Sequence, residues 1–210
     1  MVIKRATPNP VQNRARETVD AVIQATNDAL KIGGESAVRI QEISAVSKVS
    51  VGSIYHHFGD RNGLIRATYV HNFSSAITDD IARAKRWWQN IHNASELASH
   101  REEMEDFLNS HFSHQSPFER VAIIGNSVGR QQLRDSLAEV QHQLTDQLTE
   151  VMQMLHDRGI LRAGLAPRAV SVMILGMLLG RVVGMLDNDP VSDHEWNQAM
   201  LAAFGGFFQN

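Results

Sequence analysis

Ser50, Ser53, Tyr55, His56 and His57 bring two hydroxyls, a phenol and two imidazoles into eight consecutive positions. Groups of these types hydrogen-bond phosphate oxygens and the edges of nucleic-acid bases. An ordinary amphipathic surface helix places Lys or Glu outward instead. Something must hold these groups in register, and the same stretch supplies it. Ser50 is suited to cap a helix by accepting from a free N–H of its first turn, so a helix is predicted from about Val51. Ile54 and Phe58 lie four apart and share an apolar face, which leaves Ser53, Tyr55, His56 and His57 on the remaining sides. Gly52 permits close approach of a neighbouring helix or of a phosphate. Upstream, residues 38–47 form a second short helical pattern with Ile40 and Ile43 inward, and Lys48-Val49 is read as a turn. Two short helices joined by a tight turn predict a helix-turn-helix.

The order and spacing of these pieces resemble the N-terminal domain of tetracycline-repressor (TetR) type regulators, over about residues 16–64. The matching parts are a first helix reading ETVDAVIQATNDALKIGG, Glu42-Ile43, the VSVGSIYHHF core, and FGDRNGL, which is similar to the family's Phe-x-x-Lys-x-x-Leu start of helix four. Lys48 departs from the usual turn Gly, which requires a non-Gly residue in a left-handed conformation or a different turn. Arg61 stands where Lys is usual and keeps the positive charge. The resemblance implies an all-α protein: a three-helix helix-turn-helix DNA-binding domain, residues 1–68, and a helical ligand-binding and dimerisation domain, residues 69–210. By the same resemblance Tyr55 and His57 contact phosphate, with Arg61 joining them. Ser50, Val51, Ser53 and His56 are the candidates for facing bases, and Arg39 and Gln41 for touching the flanking backbone. The competing reading is that Tyr55 and His57 only cap and pack within the domain. Arg14 and Arg16 either follow the DNA as part of a basic arm or belong to a solvated tail.

Charge distribution agrees modestly. The chain has a net charge of −3, but residues 1–70 hold nine Lys or Arg against six acids, so the excess of acid lies in the remainder. With no Cys, thiolate metal sites, disulfides and Cys nucleophiles are excluded. No nucleophile-base-acid arrangement, phosphate loop or paired-carboxylate signature is visible, so an enzyme is not expected, nor a cofactor. The first residues lack the apolar core of a signal peptide, and the longest apolar run, residues 169–180, is shorter than a membrane span of about 18 to 20 residues needs. A cytoplasmic protein is expected.

Helical patterns cover residues 11–32, ending at Gly33-Gly34; about 61–88, capped by Asp60; 96–114; a segment opened by Ser116-Pro117; 131–157; 167–186; and 193–208. The domain boundary is expected inside the fourth helix, near residues 68–73.

Gly176, Gly180 and Gly184 recur on one helix face, at a cost of roughly 1 kcal/mol each relative to Ala. Close packing would offset it, either within the chain or against a second copy, with Trp196, Met200 and Phe204 of the last helix. The family resemblance implies the second, a homodimer through a four-helix interface. Trp88, Phe107, His111 and Asn126 are the candidates for touching a small-molecule effector, beside Trp87, Phe112, Phe118, Met152, Met154 and His114. His111 and His114 with Glu119 have metal-ligand types, but no metal site is assigned. The expected function is a homodimeric regulator, a repressor, that binds a palindromic operator in double-stranded DNA and is released by an inducer. The alternative is an architectural or scaffolding DNA binder without one.

Overall fold

The computed structural model describes residues 10–93, 96, 99–100, 102–103, 106 and 117–208. The protein is all-α; among the described residues the extended structure is an isolated antiparallel bridge between Leu161 and Phe208. The chain forms two compact units, residues 1–71 and 72–210.

The first unit contains α1 (Pro10–Gly33), a 3-10 turn (Gly34–Ala37), α2 (Ile40–Ser47), α3 (Val51–Phe58) and the start of α4 (Arg61–Trp88). Gly34, at φ +63°, takes the left-handed conformation that ends α1. Arg14 and Arg16 lie within α1, inside the helical pattern predicted for residues 11–32, rather than in an arm or tail separate from it. α2 starts two residues later than predicted, because Val38 and Arg39 are extended. That extension buries Val38 to 1 % exposure and leaves its carbonyl off the helix ladder. Lys48 adopts the left-handed conformation at φ 59°, the first of the two alternatives that the missing turn glycine left open. Val22, Ala25, Val38, Ile40, Ile43, Ile54, Leu64 and Ile65 form the core; burying each large aliphatic side chain contributes roughly 1.5–3 kcal/mol.

The second unit contains the rest of α4, then α5 (Pro117–Asn126), α6 (Gln131–Asp157), α7 (Pro167–Met185) and α8 (Asp193–Gly205). Most of the predicted segment 96–114 lies outside the described residues. α6 runs over the predicted span, with Leu133, Leu137, Leu144, Leu148, Val151 and Leu155 buried and Val140 half-buried. It packs along α7, which also meets α5. α8 stops three residues short of the predicted 208, because the chain turns and the Arg162 N–H donates to the Phe207 carbonyl at 2.8 Å beside the Leu161–Phe208 bridge. At its start, Ser192 and Glu195 form a reciprocal capping box.

α7 buries only Val170, Ser171 and Leu175. A Cβ built at Gly176, Gly180 or Gly184 meets nothing within 4 Å, and Val183 is 71 % exposed. The glycine face therefore does not pack on a described helix of its own chain. Two expected companions of that face are corrected: Met200 and Phe204 are buried in the chain's own core, on the inward side of α8 with Leu201, while Trp196 is half-buried. At 19 residues and a mean hydropathy of 1.6, α7 reaches by length and composition what a membrane span needs, more than the run to residue 180 suggested. It is nonetheless bracketed by ion pairs, Arg168 to Asp146 of α6 and Arg181 to Asp193 of α8.

Candidate nucleic-acid interface

The helix-turn-helix is assembled by short local bonds. Ser44 donates its hydroxyl to the Val49 carbonyl at 2.7 Å, which fastens α2 to the turn. Ser50 caps α3 by accepting from the Ser53 N–H at 3.2 Å, and Gly59, at φ +78°, closes its far end by donating to the Tyr55 carbonyl. Ile54, with no exposed surface, pins α3 to the core, and Phe58 packs beside it half-buried.

With one face fixed, the other is presented outward. Tyr55 is 46 % exposed, and His56 and His57 are exposed with their rings edge-on, 5.4 Å apart. The exposure of Tyr55 does not fit the reading in which it only packs within the domain. Ser50 is exposed and Ser53 half-buried, both at the amino end of α3, where free N–H groups and the helix dipole favour phosphate. Gly52 is exposed, and a Cβ there meets nothing within 4 Å. No described neighbouring helix needs its small size.

Two predicted contacts are placed otherwise. Val51 packs half-buried against the core, so its side chain is mostly spent inward. Arg61 donates from Nε to the Val38 carbonyl at 2.8 Å and from Nη2 to the Glu35 carbonyl. Its guanidinium satisfies backbone groups freed where α2 starts late, rather than reaching outward for phosphate. Arg39 and Gln41 are exposed as expected at the start of α2. Arg39 meets Glu42 at 3.1 Å, but both are well exposed, and such a surface pair exchanges readily for another anion.

Sequence reasoning missed Gly63. A Cβ there would lie 2.0 Å from the Phe58 carbonyl oxygen, so only Gly lets α4 begin directly against the end of α3. Asp60 caps the same turn, accepting from the Gly63 N–H at 2.6 Å.

In the second unit, a cavity of about 80 Å³ opens between α4, α6, α7 and the end of the chain. Trp88, a predicted effector contact, lines it with Trp87, Met152 and Leu175; Phe204 and Phe208 close another side. Asn126 is exposed at the end of α5 and does not line it; Phe118 and Met154 are also absent from its wall. Phe107, His111, Phe112 and His114 lie outside the described residues. The missed polar feature is Arg120, which is 6 % exposed and stacked over the Phe73 ring at 4.3 Å. Burial pushes its guanidinium down to about 10, which leaves it charged at neutral pH.

Fold and site together define a helix-turn-helix protein with a helical second unit around a cavity. Residues 22–68 match the sequence profile of the family described as bacterial regulatory proteins, tetR family. The matched stretch contains both helices of the helix-turn-helix, so that unit of the chain is similar to the DNA-binding domain of that family. Over 72 residues it is 35 % identical to an HTH-type transcriptional repressor of Mycobacterium tuberculosis, a match that covers 34 % of this chain and 38 % of that protein. Two similar solved structures span nearly the whole chain. A transcriptional regulator from Saccharomonospora viridis in complex with choline is 13 % identical, covers 95 % of this chain and 100 % of its own, and superposes with a TM-score of 0.60. The regulator FadR from Bacillus subtilis in complex with stearoyl-CoA is 17 % identical, covers 89 % and 95 %, and has a TM-score of 0.56. At these identities the likeness is one of fold.

Proposed function

We propose that the protein is a DNA-binding transcriptional regulator, a repressor, that grips a palindromic operator as a homodimer and lets go when a small molecule occupies its second unit. The observation that carries this reading is the outer face of α3, where Gly52, Tyr55, His56 and His57 stand exposed above the buried anchor Ile54. Ser53 and His56 are the base-facing pair, Tyr55 and His57 the phosphate pair, with Arg39 and Gln41 on the flanking backbone. One such helix contacts too few groups for useful affinity, so two are needed at the spacing of the groove repeat. The open glycine face of α7 is the surface through which a second copy supplies the other.

The proposed switch is a population shift. An effector that binds better to the arrangement incompetent for DNA draws the protein toward it, and α4, which runs through both units, transmits the change. The wall of the apolar cavity supports an effector site, and the solved relatives with stearoyl-CoA and with choline support small-molecule binding by this fold. Their ligands differ so much in size and charge that the effector's chemistry has to be read from this chain's own residues.

Fluorescence anisotropy tests the function. Duplexes enriched from a random pool and scrambled duplexes are titrated with the full chain over a salt series. A regulator retains a specificity ratio of at least about a thousand, while both affinities fall with salt. Equal affinity for both would make the protein a non-specific, architectural DNA binder.

A further inference from the structure

Two charged side chains are buried in the second unit, Asp80 in the wall of the cavity and Arg120 outside the residues that line it, and the chain treats them differently. Asp80 lines the cavity at 8 % exposure and is paired with Arg83 one turn along α4. Arg120 of α5 is as deeply buried, yet its Nε has no hydrogen-bond partner and no carboxylate among the described residues forms an ion pair with it. Its guanidinium rests on the Phe73 ring. A ring face returns part of what a cation loses on leaving water, but a buried unpaired charge still costs several kcal/mol. Phe73 stands one helical turn before Ile77, the first α4 residue of the cavity wall, a separation of about 6 Å along the axis. A buried cation thus rests on a ring one helical turn from the wall of an apolar chamber that holds two indoles.

Resting on the effector reading above, we infer that the effector is a small organic anion, a carboxylate with a compact apolar body, whose head pairs with Arg120 while its body fills the Trp87–Trp88 cavity. The size follows from the cavity, about 80 Å³ against roughly 300–1,000 Å³ for sites that enclose drug-sized ligands. The charge follows from Arg120, since the acid in the wall already has its own guanidinium. A planar fork of N–H groups receives a carboxylate in two parallel bonds, which a neutral amide cannot reproduce.

Hexanoate and hexanamide have nearly the same shape and differ in charge, and propionate keeps the charge without the length. Binding to the full chain is read from tryptophan fluorescence. Hexanoate should saturate, while hexanamide and propionate bind at least about tenfold more weakly. Arg120→Met should bind hexanoate and hexanamide alike and, without ligand, melt no lower than the wild type, because it removes a buried charge that has no ion-pair partner among the described residues. Hexanoate and hexanamide binding equally, no saturable binding of hexanoate, an undiminished preference in Arg120→Met, or a markedly lower melting temperature in that variant would each overturn the inference. Operator binding measured on the same samples separates the two readings. Wild type that selects its operator but ignores hexanoate leaves the regulator standing without this effector, whereas loss of sequence selectivity defeats the regulator reading itself.

Discussion

Arg61 Nε lies 2.8 Å from the Val38 carbonyl oxygen, and the other arm of the same guanidinium reaches the Glu35 carbonyl. Those acceptors belong to the 3-10 turn and the extended residue that precede α2, so one side chain ties the start of α4 to the element that sets where α2 begins. Lys carries the same charge but lacks the fork. Arg61→Lys should destabilise the helix-turn-helix unit by about 1–3 kcal/mol, read as an earlier urea transition by circular dichroism. Unchanged stability with uniformly weaker DNA binding would return Arg61 to the phosphate-contacting set.

Gly52 gives the opposite sign. A glycine inside a helix costs roughly 0.5–1 kcal/mol relative to Ala, and a Cβ at this exposed position meets nothing in the described chain. Gly52→Ala should therefore raise thermal stability while weakening operator binding, because the added methyl stands where the DNA backbone approaches. A stabilised variant with wild-type affinity would remove Gly52 from the interface.

Contact type separates the remaining α3 residues. Tyr55→Phe should weaken binding to all duplexes by a similar factor, since a phosphate contact carries no base information. Ser53→Ala or His56→Ala should instead redistribute preference by about 1–3 kcal/mol at one base pair of each half-site. Competition titrations against single-base variants distinguish the two patterns, and a change of preference in Tyr55→Phe would reverse its assignment.

Much of the fold and of the interface was legible because its causes are local. Ser50 and Asp60 are read as caps from type and position, Lys48 as marking either a left-handed residue or a different turn, and the α6 leucines from their three-and-four spacing. What escaped depends on partners distant in sequence. The guanidinium of Arg61 is consumed by carbonyls 23 and 26 residues upstream, and Phe208 leaves the α8 pattern to pair with Leu161. Met200 and Phe204 show the same limit, because helical spacing says that they share a face with Trp196 but not which body that face meets. Arg120 is deeper still, since nothing in PFERVAIIGN marks its one basic residue as inward.

Assembly is tested on α7. A Cβ at position 180 meets nothing within 4 Å in the single chain, so Gly180→Leu should fold normally and yet push two copies apart. Light scattering should report a monomer or a loosened dimer with wild-type circular dichroism, and operator affinity should fall far more than non-specific affinity. An intact Gly180→Leu dimer, or a wild type that is monomeric at micromolar concentration, would place the dimer elsewhere or deny it.

Sequencing of duplexes that the full chain retains from a random pool at physiological salt reads out whether two α3 helices grip one operator. A dimer presenting two α3 helices should enrich an inverted repeat whose half-sites are centred one helical turn, about 10–10.5 base pairs, or a multiple of it apart. A pool that stays random after repeated selection, or one that converges on a single unrepeated site, would contradict the account.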